Sequence, residues 1–363
     1  MARTLRTFFT LDLQASSDVT ITTPMTRTIF RLLVAAFVSG ALVSAQIPDY
    51  TLKVDVPYVS VDVTVQDAGG NTINDLSAES FILHENGVRQ EIVHFLPVAT
   101  PYNVLLLFDR SGSTQGKWVL MQRAVAGFIA NLRPQDRVAI ATFDYELDMQ
   151  LPWTNDRQKG LQVLPELLRP NRAGGTEFYR SVEQVLRREF RKMTGRRALV
   201  VLTDGRDTSL YLEIMKKERL LEPKQDRPYQ NALKAARAQG IPVYFVAFNT
   251  DQNFDPNLVG GDEFRSLRVL YPNSNMAERY LSGVRTRMEE MAEVSGGRVL
   301  FPDRLEDIVP LYQQIGAELR TSYTLGYVSS NPSIDDSFRR IEIRGRREGL
   351  RLTQSRTGYY AKR

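Results

Sequence analysis

Between residues 54 and 98 hydrophobic and polar positions alternate. Val59, Val61, Val63 and Val65 fall on one side, with Ser60, Asp62 and Thr64 on the other, and this period of two predicts a half-buried strand. Gly69-Gly70-Asn71 breaks the run. Residues 81–84 followed by Glu85-Asn86-Gly87 predict a strand entering an Asn-Gly turn, with residues 91–95 as the return strand. From Asn103 onward the alternation gives way to unbroken apolar runs. Residues 104–108, 138–143, 198–202 and 243–248 predict strands buried on both faces, as in a parallel sheet.

Between these runs the apolar positions recur at helical spacing, as in Trp118, Met121, Val125, Phe128, Ile129 and Leu132. Further helices are predicted over 178–190 and 229–239, the latter ended by Gly240 and Pro242. A last helix–strand unit spans 288–301 and precedes a helix at about 304–320. Short alternating strands return at 323–327, 340–344 and 349–352. Strands alternating with helices imply an α/β fold with a doubly wound, mainly parallel sheet. The expected organisation is an α/β domain over 101–320 and a small all-β domain assembled from both flanks, 50–98 and 321–363. Residues 206–228 and 249–277 read as long polar loops on the α/β domain.

The N-terminal segment has a different character. Arg27 and Arg31 precede an apolar stretch at 32–38, and Val43-Ser44-Ala45 provides a small-residue cleavage site, so 25–45 is predicted to be a signal peptide. The stretch is shorter than the roughly 20 residues that span a bilayer, which leaves an uncleaved anchor as the alternative and predicts no stable span after cleavage. Residues 1–24 are polar and Thr-rich with Asp12 and Asp18, which predicts a mis-called extension ahead of Met25. The expected location is the periplasm or the extracellular space.

Composition narrows the chemistry. The 363 residues include no cysteine, which removes disulfides, thiolate metal sites and a Cys nucleophile. The only histidines are His84 and His94, and both read as surface strand residues. A formal charge of +5 is too mild to argue for nucleic acid as a partner. The arginine-rich run at 339–351 alternates with Ile341, Ile343 and Leu350, as a solvated outer sheet face would; an anionic-lipid or nucleic-acid patch is the alternative.

The candidate site lies in three loops at the carboxyl edge of the predicted sheet, where doubly wound folds bind ligands. The first apolar strand runs into Asp109-Arg110-Ser111-Gly112-Ser113, placing a carboxylate and two hydroxyls in one tight turn. Another strand ends in Thr203-Asp204-Gly205, and a third loop, Gly174-Gly175-Thr176-Glu177, opens a helix. Hard oxygen donors of this kind suit Mg²⁺, Mn²⁺ or Ca²⁺. The bland alternative is that Asp109, Ser111 and Thr176 cap helices and satisfy loop amides.

In this order and spacing, the set resembles the metal-ion-dependent adhesion site of von Willebrand factor type A domains, a resemblance covering roughly 101–320. It implies that Asp109, Ser111, Ser113, Thr176 and Asp204 hold a divalent cation, Mg²⁺ foremost, with an open position for the Asp or Glu carboxylate of a protein partner. The flanking β segments also resemble the exported type A-related proteins of acidobacteria. The implied function is an exported, metal-dependent interaction module and not an enzyme. Arg110 departs from a plain donor loop, and would weaken cation binding or pair with Asp207 or Glu177. The alternatives are a Mg²⁺-dependent phosphatase-like hydrolase, or a structural envelope protein with a vestigial site. Phosphotransferases with a strand-end aspartate carry Asp-x-Asp, whereas residue 111 is Ser; the Gly-x-Ser-x-Gly elbow and the Gly-x-x-x-x-Gly-Lys loop are both missing.

Overall fold

The computed structural model describes residues 58–168, 175–250 and 263–361. The predicted extension, signal peptide and part of the 249–277 insertion lie outside the described residues. Three sheets organise the rest, all within the unit Val56–Arg363.

Tyr58–Gln66 (β1) carries the predicted alternation, but both its faces are covered. Val59, Val61, Val63 and Val65 enter an apolar core, while Ser60 and Asp62 are also buried, at 5% and 3% exposure. Asp62 is tolerated there because Tyr102 Oη and Thr324 Oγ1 donate to its carboxylate at 3.2 and 2.6 Å. The half-buried strand of the sequence reading is therefore corrected: its polar face packs against the α/β body. Phe81–Glu85 (β2) turns through Asn86 and Gly87, both at positive φ, into Val88–Gln90 (β3), its hairpin partner. Ile92–Leu96 (β4), expected as the return strand, instead joins the sheet of β1. His84 on β2 and His94 on β4 consequently sit in different sheets.

The α/β body follows in chain order. Tyr102–Asp109 (β5), Trp118–Ala130 (α1), Arg137–Phe143 (β6), Leu147–Thr154 (β7), Arg157–Gln162 (α2) and Phe178–Gln184 (α3) make its first half. Then come Arg196–Thr203 (β8), Thr208–Lys217 (α4), Arg227–Gln239 (α5) and Val243–Ala247 (β9). Glu263–Leu270 (α6), Met276–Ser295 (α7), Val299–Leu300 (β10) and Ile308–Thr321 (α8) complete it. The sheet order is β10-β9-β8-β5-β6-β7, parallel except for the pairing of β7 with β6. The 206–228 insertion is not a loop throughout: Asp207 accepts from Ser209 N and caps α4, and Asp226 caps α5.

Strand parity divides the core. Leu105, Leu107, Leu199 and Val201 face α3, α5 and α7, whereas Val104, Leu106, Ala198 and Val200 face α1 and α8. Covered on both faces, the strands need the continuous apolar runs seen in the sequence.

The tail supplies Ser322–Val328 (β11), Phe338–Gly345 (β12), Arg351–Gln354 (β13) and Gly358–Tyr360 (β14). β1 lies between β11 and β13, and β2 between β3 and β12, so strands from both flanks of the α/β body share one core with Phe81, Leu83, Tyr323 and Ile341. Arg196 ties the two crossings together. Its guanidinium donates to Val98 O at 3.3 Å, Leu319 O at 2.8 Å and Ser322 Oγ at 2.7 Å, and lies over the Tyr102 ring.

Candidate functional site

β5 is the switch point of the sheet, flanked by β6 on one side and β8 on the other, so a crevice opens at its carboxyl end. Register pairs Phe108 with Leu202, which brings Asp109 level with Thr203 at the ends of adjacent strands. Both residues share the parity of Leu107 and Val201, so their side chains point to the same face and meet. Thr203 Oγ1 donates to Asp109 Oδ2 at 2.6 Å, and Ser111 N donates to Oδ1 at 2.9 Å. Ser111 Oγ and Ser113 Oγ lie 3.1 Å apart in the same loop. Thr114 closes the turn by donating to the carbonyls of Asp109 and Ser111 at 2.8 and 2.9 Å.

Asp204, one residue beyond β8, is 1% exposed. Its Oδ1 accepts from Arg206 N at 3.3 Å, while its Oδ2 accepts no hydrogen bond. The Arg206 Nε stands 3.8 Å from that oxygen, and the same guanidinium reaches Glu263 Oε2 at 3.6 Å. Burial pushes the Asp109 carboxyl up to about 7, and the neighbouring Asp204 charge adds to the rise against the hydrogen bonds from Ser111 and Thr203. Two buried carboxylates at one sheet edge are met by a single guanidinium, that of Arg206, and one carboxylate oxygen is left without a hydrogen bond.

Thr176 arrives from a third direction. Its N donates to Thr208 Oγ1 at 2.7 Å, and its carbonyl accepts from Thr208 N at 2.9 Å. Glu177 N donates to Asp144 O at 2.8 Å, so this loop is stitched between the β6–β7 turn and the start of α4. Arg110 pairs with Asp144 at 3.4 Å, and Glu177 with Arg180 at 3.0 Å, which corrects the expected pairing of Arg110 with Asp207 or Glu177. Asp207 instead receives Ser209 and Tyr179 N. Of the capping alternative, the helix caps are not seen, since Lys117 and Glu177 precede α1 and α3 and neither start receives a side-chain cap, whereas Asp109 does satisfy a loop amide, that of Ser111.

Three neighbours of the site were not singled out from the sequence. Thr203 was legible as part of its motif, but its bond to Asp109 depends on strand register. Arg206 lies in a stretch whose composition predicts a polar loop, yet is 2% exposed. Lys117 is 1% exposed, donating from Nζ to Ser113 O at 2.9 Å and lying over the Phe248 ring at 4.6 Å. No local pattern marks a lysine for burial.

Among the described residues no three His, Cys, Asp or Glu side chains converge as a metal cluster. A cation here would rest on two carboxylates supplemented by hydroxyls. The unbonded Asp204 Oδ2, the adjacent Ser111 and Ser113 hydroxyls and the mutual repulsion of Asp109 and Asp204 fit a small hard cation.

Residues 103–275 match the family model of the von Willebrand factor type A domain. No curated protein matches the chain. Similar solved structures include an aerotolerance-related membrane protein from Bacteroides fragilis, at 17% identity and a TM-score of 0.39, covering 60% of this chain and 98% of that one. A von Willebrand factor type A protein from Catenulispora acidiphila has 12% identity and a TM-score of 0.42, with 85% of this chain and 74% of that one covered. Proximal thread matrix protein 1 from the mussel byssus, described with a zinc-occupied MIDAS motif, has 15% identity and a TM-score of 0.41, over 60% and 48%.

Proposed function

We propose, for a chain that carries a von Willebrand factor type A domain, that residues Asp109, Ser111, Ser113, Thr176 and Asp204 hold a divalent cation, Mg²⁺ foremost, through which the protein captures a carboxylate of a protein partner. Domains of this family serve typically in protein interaction or adhesion. The observation that carries the reading is the pair of buried carboxylates on adjacent strand ends, with Asp204 Oδ2 left without a hydrogen bond.

The chain's own residues prepare the site. Thr203 and Ser111 N fix both oxygens of Asp109, so this carboxylate is oriented before any ligand arrives. Ser111 and Ser113 present neutral oxygens, which leaves few negative charges in the donor set. A cation bound by so few carboxylates retains the electrophilicity to accept an oxygen from a partner. Arg110, held by Asp144, lies in the loop without being directed at either buried carboxylate by any ion pair. Export to the periplasm or beyond is part of the same proposal, and no helix among the described residues is long and apolar enough to cross a membrane.

The test is calorimetric titration of the metal-stripped full chain with Mg²⁺ and Mn²⁺, repeated on Asp204→Ala. Binding to the wild type and none to the variant is expected. Equal heats in both would overturn the assignment. Pull-down from cell-envelope extract with and without EDTA then tests partner capture.

A further inference from the structure

Immediately beyond the site, α4 and the segment that follows it enclose a groove of about 620 Å³. It starts at Ser209, next to the Thr208 that anchors Thr176, and runs along the helix toward residues 219–228. Its far wall is rigidly built. The buried Arg287 donates to Leu221 O at 2.6 Å and Gly283 O at 3.0 Å and pairs with Asp226 at 3.2 Å, which pins the segment to α7.

The lining is markedly one-signed. Lys216, Lys217, Arg219 and Arg227 all line the groove and are exposed. Of the two acids in the lining, Asp226 is buried against Arg287, and Glu213 is matched by Lys217 at 2.6 Å. Among the described residues no ion pair engages Lys216, Arg219 or Arg227. Leu212 is 45% exposed in the same lining, and Leu221 is half-buried beside it. No aromatic side chain is present there on which a nucleic-acid base could stack.

We infer that this groove is a second contact surface, taking an extended acidic peptide segment with an aliphatic residue, its carboxylates against Lys216, Arg219 and Arg227 and its aliphatic group against Leu212 and Leu221. Charge complementarity selects an acidic occupant, and the exposed leucine selects a peptide over a purely ionic polymer. The surface lies beside the candidate metal site but does not depend on it, so one partner could engage both and gain by linkage.

The probe is a fluorescein-labelled peptide of glutamates around a central leucine, titrated against the full chain by anisotropy in Mg²⁺ and in EDTA. Unlabelled duplex DNA and the all-glutamine peptide serve as competitors. The variants are Lys216→Glu with Arg219→Glu, Leu212→Ser, and Asp204→Ala; the first two alter exposed residues and should melt as the wild type does. Expected is a loss of about tenfold in affinity for the charge-reversed variant and a smaller loss for Leu212→Ser. EDTA and Asp204→Ala should leave binding of this probe in place, which separates the groove from the metal reading. Equal binding by wild type and the charge-reversed variant overturns the proposal whatever the metal does. So does displacement of the probe by duplex DNA at lower concentration than by its own unlabelled form, which would make the surface a general polyanion patch.

Discussion

Two buried acids in this molecule have opposite surroundings. Glu85, in the β core, is 3% exposed, and its carboxylate accepts from Tyr327 Oη at 2.7 Å, Ser329 Oγ at 2.6 Å and Tyr359 Oη at 2.9 Å, with Arg339 Nη1 at 3.5 Å. Asp204, at the edge of the parallel sheet, is buried as deeply, but one oxygen lacks a hydrogen bond, its Arg206 partner stands off at 3.8 Å, and the neighbouring Asp109 carboxyl opposes its charge. Burial alone therefore does not make a charge part of the core; satisfaction does. Every oxygen of Glu85 is answered by the fold, which makes it part of the core. Asp204 is answered incompletely, and the deficit is what an incoming cation would fill.

The contrast can be broken most forcefully at Arg339. Its Arg339→Met variant leaves Glu85 buried without its cation and also releases the carbonyls of Asn331 and Ser333, so a loss of about 3–5 kcal/mol is expected in urea unfolding. Asp204→Asn, at equal burial, should cost the metal-stripped protein clearly less, because the loss of its 3.8 Å contact with Arg206 is set against relief of the repulsion with Asp109. Comparable losses in the two variants would erase the distinction.

Cation addition should give the next largest effect. At a concentration of 100 times Kd, Mg²⁺ should stabilise the wild type by about 2.7 kcal/mol and leave Asp204→Asn and Arg339→Met without and with that increment respectively. Thermal melts in Mg²⁺ and EDTA measure it.

pH sharpens the comparison in a third way. The Asp109 carboxyl titrates above its ordinary range in the folded chain, so the folded state binds the proton more tightly than the unfolded one. Its contribution is unharmed below about pH 4 and turns unfavourable as pH rises to about 7, so the metal-stripped wild type should lose stability across that window, with a flatter profile in Asp204→Asn. Asp136 runs the other way: against the burial that raises it, hydrogen bonds from Arg133 and Tyr102 N hold it below its usual range, so it supports the fold at neutral pH and loses that support on acidification. Chemical unfolding midpoints across pH would read both, and Asp136→Asn separates them.

The smallest effect is expected at Arg110. Its contact with Asp144 is long, at 3.4 Å, and partly exposed, so Arg110→Ala should change stability by less than about 1 kcal/mol. Mg²⁺ affinity, measured by calorimetry, should stay within about threefold of the wild type, because the guanidinium is partly neutralised by Asp144 and screened by solvent. A much tighter cation in the variant would show that Arg110 opposes the site.

Much of the α/β body was readable from local pattern. Residues 104–108 and 198–202 are apolar at every position, and only a strand covered on both faces requires that. The carboxyl-edge loops could be placed from the same strands, because Asp109 and Asp204 follow them directly. Pattern failed where a polar stretch had a non-local partner. Residues 208–217, inside a stretch that reads as polar over its whole length, form a helix held by burial of Leu210 and Ile214, with Tyr211 partly buried against the same core.

By itself, then, the sequence determined the period of each element, the layering of an α/β sheet and the loops that carry oxygen donors, since these follow from neighbours a few residues apart. Tertiary structure decided which polar groups are satisfied. Glu85 meets Arg339 across 254 residues, Asp109 meets Thr203 across 94, and Ile92–Leu96 leaves its hairpin for a strand of the distant tail. Whether a buried carboxylate is neutralised depends on which distant donors the fold brings within about 3 Å, and no local periodicity encodes that distance.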